Sequence, residues 1–254
     1  MSHYFKVLIG LFCIALQACK TTSHVDHIET SNYPLNKPGF TTVDSSILSF
    51  YDAYKHIVDS SMNKVLIQSD KVLEKNSPEG LLGNVSADIT LEEANKAYKP
   101  ADGKPVDFCF VNNGGLRAPL PQGDITIGNI FELMPFENEM VIVTLSGETT
   151  EKLFSFIANK GGVPIAGLKL VLRDTLVVSA IINGVPFDKS KTYKVVTSDY
   201  LANGGDNLSF MSEAINKEIP HVKLRDAFIN NLTERNQQGK KLTAKIEGRI
   251  TYVK

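Results

Sequence analysis

The sequence predicts an α+β domain: a mixed sheet with flanking helices. Stretches of helical and of strand periodicity intermix without regular β-α-β-α alternation, which argues against a doubly wound sheet. Short β-branched runs recur through the second half of the chain, and Asn183-Gly184 between Ile182 and Val185 marks a tight antiparallel hairpin.

The elements follow in order. Ile47, Leu48, Phe50, Tyr51, Tyr54, Ile57 and Val58 recur at helical spacing within residues 46–67. They predict one helix leading into a strand at 64–67. A second helix is predicted over 81–97, broken by Lys99-Pro100-Ala101-Asp102-Gly103. Residues 106–111 read as a strand in which Cys109 is a buried thiol, followed by the turn Asn112-Asn113-Gly114-Gly115. A short helix over 125–133 takes Thr126 as its N-cap. A strand over 139–145 leads into a helix over 148–159 that Gly161-Gly162 closes. Strands are predicted at 168–172, 177–182 and 193–198. A helix over 224–232 turns Leu224, Ala227, Phe228 and Leu232 inward, and a strand over 246–253 ends the chain.

Length and composition narrow the function classes. The 254 residues are 43 % hydrophobic and 22 % charged, as in an ordinary globular protein. A net charge of -1 provides no broad cationic field for nucleic acid. Any bound anion has to be held by local groups.

The N-terminus reads as a targeting signal. Lys6 precedes the apolar run 7–16, which is shorter than the ~20 residues of a membrane-spanning helix. Leu16-Gln17-Ala18-Cys19 has the form of a bacterial lipobox. The expectation is a lipoprotein signal peptide over 1–18, lipidation at Cys19, a polar tether over 19–44 and a folded domain over 45–254. Such a protein is exported and membrane-anchored in a bacterial cell envelope, facing the periplasm or the surface. Of three cysteines only Cys109 would remain as a thiol after processing and lipidation, so no disulfide framework is expected.

Five histidines, His3, His24, His27, His56 and His221, form no metal-binding pattern. A catalytic metal centre needs several converging ligands, so neither a metal site nor a cofactor is expected in this chain. No phosphate-binding glycine loop and no nucleophile elbow is present. Three other loops carry candidate chemistry. Asn112-Asn113-Gly114-Gly115-Leu116-Arg117 exposes backbone donors beside a guanidinium fork. Pro135-Phe136-Glu137-Asn138 sets an aromatic ring in a polar neighbourhood. Asp199-Tyr200-Leu201-Ala202-Asn203-Gly204-Gly205-Asp206-Asn207 joins a ring to carboxylates after a strand. Taken singly, the loops read first as a tight turn with a surface Arg, a core Phe and a hairpin with a packed Tyr.

Together the three loops resemble the ligand loops of the 5'-nucleotidase C-terminal domain, in order and in spacing. Glu79-Gly80-Leu81-Leu82-Gly83-Asn84 with Asp88 resembles that family's leading helix, and Gly248-Arg249-Ile250 its closing strand. The resemblance spans roughly residues 45–254. It implies a 5'-nucleotidase C-terminal-domain-like fold that binds a nucleoside 5'-monophosphate or nucleoside. Phe136 and Tyr200 would sandwich the base and Asn138 would reach its edge. Asp206 would hold the ribose hydroxyls, Arg117 the phosphate side, and Asn112 the ribose side or the loop geometry. Gly114, Gly115, Asn203, Gly204 and Gly205 would shape the loops. Two departures stand out. Pro78 occupies a position where the family carries Arg, and the family's two-metal phosphoesterase domain is missing. The chemistry would therefore require divalent metals on a separate metallophosphoesterase partner. A non-catalytic nucleoside-binding lipoprotein, or an interaction module that keeps the loops for structure, are the other readings.

Overall fold

A computed structural model describes residues 25–32 and 45–253 of the chain. The signal segment, Cys19 and residues 20–24 and 33–44 of the tether lie outside the described residues. The chain divides into two compact units, Met1–Tyr51 and Asp52–Lys254. In the first, residues 25–32 have no regular secondary structure and are exposed. Helix α1, Ser45–Met62, begins there, and none of its residues is buried. Its helical spacing is as expected, and its apolar residues Ile47, Phe50, Tyr54 and Ile57 are exposed.

The second unit holds β1 (Val65–Ser69), α2 (Leu81–Ala97), β2 (Phe108–Phe110), β3 (Gly123–Thr126), α3 (Ile127–Leu133), β4 (Met140–Ser146), α4 (Gly147–Asn159), β5 (Ile165–Ala166), β6 (Leu168–Arg173), β7 (Leu176–Ile182), β8 (Val185–Pro186), β9 (Thr192–Ser198), α5 (Asp199–Ala202), β10 (Asn216–Glu218), α6 (Leu224–Gln237) and β11 (Ile250–Tyr252). The central sheet has the order β10-β4-β9-β2-β5. Two smaller sheets, β1-β3 and β11-β6-β7-β8, flank it. Strands β2 and β9 run parallel, as do β11 and β6, and the other pairs are antiparallel. The sheet is mixed, as the intermixed periodicity predicts.

The central sheet is buried on both faces. In β4, Met140 and Ile142 pack into one core with Cys109, Val196, Ile89 and Phe228. Val141, Val143 and Leu145 pack into a second core with Phe108, Phe110, Val195, Leu153 and Phe154. Alternate side chains point to opposite faces, so a strand covered on both sides reads as the unbroken run Met140-Val141-Ile142-Val143. Helices α2 and α6 supply the first core, and α4 with β6 the second.

Local chemistry explains most boundaries. Thr126 caps α3 in a full capping box with Asn129. Residues 125–126, however, belong to β3, because Ile125 pairs with Ile67 of β1. Gly161 (φ +68°) ends α4 in the left-handed region. Asn183 (φ +48°) and Gly184 (φ +81°) form the predicted turn between β7 and β8. The predicted strand over 106–111 shortens to Phe108–Phe110, and the helix from Leu224 runs on to Gln237.

The strand expected over 246–253 shortens to Ile250–Tyr252 because a carboxylate takes its backbone donors. Glu79 accepts the N–H groups of Glu247 (2.7 Å) and Arg249 (2.8 Å) and the Asn84 amide (2.6 Å). Burial alone would raise the Glu79 carboxyl; these bonds outweigh it and hold it below the ordinary value. Arg249, itself buried, bonds Asp88 (2.8 Å), Glu247 (2.8 Å) and the Ile165 carbonyl (2.7 Å). The Glu79, Asn84, Asp88 and Arg249 motif residues thus form a staple between the start of α2 and β11.

One glycine gives a direct test of this packing. A Cβ on Gly147 would lie 2.1 Å from the Lys189 carbonyl oxygen. Gly147→Ala is expected to lower unfolding free energy by ~1–3 kcal/mol in urea titrations.

Candidate functional site at the carboxyl edge of the central sheet

Strand direction gathers the three loops. The parallel neighbours β2 and β9 end at the same edge, with Cys109 opposite Val196. Their following segments, from Asn112 and from Asp199, leave the sheet side by side. Antiparallel β4 begins at that edge, with Met140 opposite Ser198, so the preceding Pro135–Asn138 segment arrives there too. Such an edge, outside the carboxyl ends of parallel strands, is where open α/β sheets place ligands.

Each loop is held by its own set of bonds. In the first, residues Asn113–Gly115 form a 3₁₀ turn. The Asn112 side chain lies over it, and a Cβ on Gly115 would stand 2.9 Å from Asn112 Oδ1. Gly114 stands farther off, its Cβ position 3.4 Å from Asn112 Nδ2. Arg117 is exposed, its Nη1 3.5 Å from the Gly114 carbonyl, while its N–H donates to Leu133 O at 2.8 Å. In the second loop Phe136 is 48 % exposed, unlike the fully buried Phe108, Phe110, Phe154 and Phe228. Lys223 and Arg225 bind Glu137 and hold its carboxyl down to about 2. The Asn138 carbonyl accepts the Leu224 N–H at 2.9 Å.

The third segment is more ordered than a loop. Ser198 caps the helical turn α5, accepting the Leu201 N–H at 3.2 Å. Lys217 closes its other end, donating to Ala202 O (2.8 Å) and Asn203 Oδ1 (3.0 Å). Gly204 is left-handed (φ +93°), and so are Asp206 (φ +55°) and Asn207 (φ +71°), a conformation that Asp and Asn tolerate best among residues with a Cβ. Tyr200 is 48 % exposed. Its ring fills the space a Gly205 Cβ would take, 2.5 Å from Cε1 and Cζ.

The first and third loops are wired together. Asn112 Nδ2 donates to Asp206 Oδ2 (2.7 Å), and the Tyr200 hydroxyl donates to Asp206 Oδ1 (2.9 Å). The Asp206 N–H returns a bond to that hydroxyl at 3.2 Å. Both Asp206 oxygens are therefore engaged, each keeping a further lone pair for a hydroxyl donor. A small apolar notch opens at the same edge, lined by Asn112, Leu116, Met134, Phe136, Asn138 and Ser198. Tyr200 and Arg117 are not among the residues lining it. The structure thus brings Asn112, Phe136 and Asn138 to one notch, ties Tyr200 and Asp206 to it through Asn112, and leaves Arg117 exposed outside it.

Ser198, Lys217, Lys223 and Arg225 belong to this edge and were not evident from the sequence. Ser198 sits in an ordinary strand end. Lys217 and Lys223 read as surface charges until tertiary pairing gives them partners.

A wider cleft lies at the opposite edge, where Tyr98, Asp102, Asp107, Lys194 and Glu218 meet. Its polar groups pair with one another: Lys194 with Asp102 (2.5 Å), and Tyr98 with Glu218 (2.6 Å). Burial raises the Asp107 carboxyl above its ordinary value of 3.8 despite the Lys194 N–H bond.

The fold and the edge together define an α+β domain with two half-exposed rings, Phe136 and Tyr200, on loops at one edge of its central sheet. The chain belongs to the 5'-nucleotidase C-terminal domain family, whose pattern matches residues 61–213. It is 32 % identical over 191 residues to the cell wall protein Lmo0130 of Listeria monocytogenes, covering 68 % of this chain and 24 % of that protein. It is 28 % identical over 223 residues to the trifunctional nucleotide phosphoesterase protein YfkN of Bacillus subtilis, covering 80 % of this chain and 15 % of that one. Among solved structures, the 5'-nucleotidase precursor of Thermus thermophilus superposes with a TM-score of 0.69 at 26 % identity, over 85 % of this chain and 45 % of that one. The chain thus spans less than half the length of each of these proteins.

Two outcomes follow from this geometry. Gly205→Ala drives a methyl into the Tyr200 ring and is expected to cost ~1–3 kcal/mol of stability, with loss of the Tyr200–Asp206 bond in a crystal structure. Asp107 titrates higher folded than unfolded, so its ionised form opposes folding above the folded pKa. That penalty fades as pH falls from the raised folded pKa toward 3.8 and is gone below it. Asp107→Asn, which keeps an acceptor for the Lys194 N–H, should stabilise the domain at neutral pH but not in stronger acid, as read by thermal melting across pH.

Proposed function

We propose that this chain is the nucleotide- or nucleoside-binding half of a 5'-nucleotidase-type hydrolase of nucleotide catabolism. One observation carries the reading. The exposed rings Phe136 and Tyr200, the Asn138 amide and the Asp206 carboxylate all reach the same sheet edge. Half-exposed rings are suited to stacking on a flat heterocycle. A carboxylate such as Asp206 suits ribose hydroxyls, and the exposed Arg117 suits an anionic phosphate.

The hydrolytic step would need divalent metals on a separate metallophosphoesterase. Among the described residues, no three His, Cys, Asp or Glu side chains are grouped to hold a metal ion. The part of this chain would be to position the substrate, which by itself removes a large share of a barrier. A second reading, a non-catalytic nucleoside receptor, is favoured by Pro78, which supplies no cation where the resembling family carries one. Both readings fit an exported lipoprotein anchored through Cys19, and the Listeria relative is named as a cell wall protein.

Calorimetry with adenosine and AMP tests the binding reading. Adenosine should bind, and Phe136→Ala should weaken it by ~1–3 kcal/mol, the worth of one stacking partner. No binding of any nucleoside or nucleotide at millimolar concentration sinks both readings. Phosphate release from AMP that appears only on mixing with a metallophosphoesterase domain favours the first.

A further inference from the structure

The Phe136 segment is held from outside by one side chain that is costly to keep where it is. Arg225 lies in the first turn of α6 and is 6 % exposed. A cation in a helix's first turn opposes the helix dipole. A buried charge is also expensive unless its donors are all used, and Arg225 Nε is buried with no partner. A methionine would cover the same apolar surface without either cost.

What the guanidinium does instead is bracket Phe136. It lies 4.1 Å from the centre of the Phe131 ring on α3. Nη1 donates to the Met134 carbonyl at 3.2 Å, where the chain leaves α3. Nη2 donates to the Glu137 carboxylate, immediately beyond Phe136. Lys223 meets the same carboxylate at 2.5 Å, and the Leu224 N–H bonds Asn138 O. The chain on both sides of the exposed ring is therefore fastened to one helix start. The planar fork suits this, since it binds a carbonyl, a carboxylate and a ring face at once.

We propose that Arg225 is a positioning residue for nucleoside recognition. It holds residues 134–138 so that the Phe136 ring stands in place before a ligand arrives. The proposal rests on the reading of Phe136 as a stacking ring. Preformed geometry of this kind reduces the ordering cost of binding.

The test is a double-mutant cycle with a ligand-free control. Adenosine affinity is measured by calorimetry for the wild type, Arg225→Met, Phe136→Ala and the double variant. Amide exchange at residues 136–139 is measured without ligand. Arg225→Met should weaken adenosine binding on the order of tenfold and speed exchange at 136–139. It should add no further loss once Phe136 is Ala. Wild-type affinity in Arg225→Met, losses that multiply in the double variant, or unchanged exchange would overturn the proposal. If adenosine fails to bind the wild type, the nucleoside reading falls, and with it the recognition role. Exchange then shows separately whether Arg225 holds the loop. Arg225→Lys, which keeps the charge and loses the fork, replaces Arg225→Met should that variant not fold.

Discussion

The parallel pairing of β2 with β9, with antiparallel β4 on the far side of β9, is the constraint on which the rest of the molecule depends. Phe108 opposite Val195 and Cys109 opposite Val196 set the register. That register decides where the chain emerges after each strand. A slip of one residue would exchange the two cores, because alternate side chains serve opposite faces. It would also carry Asn112 away from Asp206. The loop-bearing edge and the hydrophobic interior are consequences of one pairing.

Above that frame, the edge is held by polar side chains of quite different origin. Asp206 joins Asn112 and Tyr200 across 94 and 6 residues of sequence. Lys217 reaches back from β10 to close α5, and Arg225 reaches from α6 to the far side of Phe136. Each ring is exposed, yet the backbone beneath it is fixed on both sides. Rigid support beneath an accessible face lets a binding surface stay open to solvent without being disordered.

Much of this was legible in the sequence, for physical reasons. Asn183-Gly184, Thr126 with Asn129, and Gly161 act within a few residues, so local rules find them. The three loops were legible through resemblance, which carried both order and spacing. Other features were not. The strand over 246–253 was overextended because Glu79, 168 residues from Glu247, takes the ladder donors. Residues 125–126 read as helix because their pairing to β1 is a tertiary fact. The spacing in α1 predicts a helix, and one forms at Ser45–Met62, but spacing alone does not say what a helix packs against. Arg225 was invisible since its meaning depends on Glu137, 88 residues away.

The staple at Glu79 has a consequence for how such a domain travels. Gln68 and Asp70, near the start of the second unit, bond Leu242 near its end, and Glu79 bonds residues 247 and 249. Early and late segments therefore lie side by side. A unit whose two ends meet can be spliced into unrelated hosts with little disturbance to either party. That portability suits a module that makes up 24 % of one relative and 15 % of another.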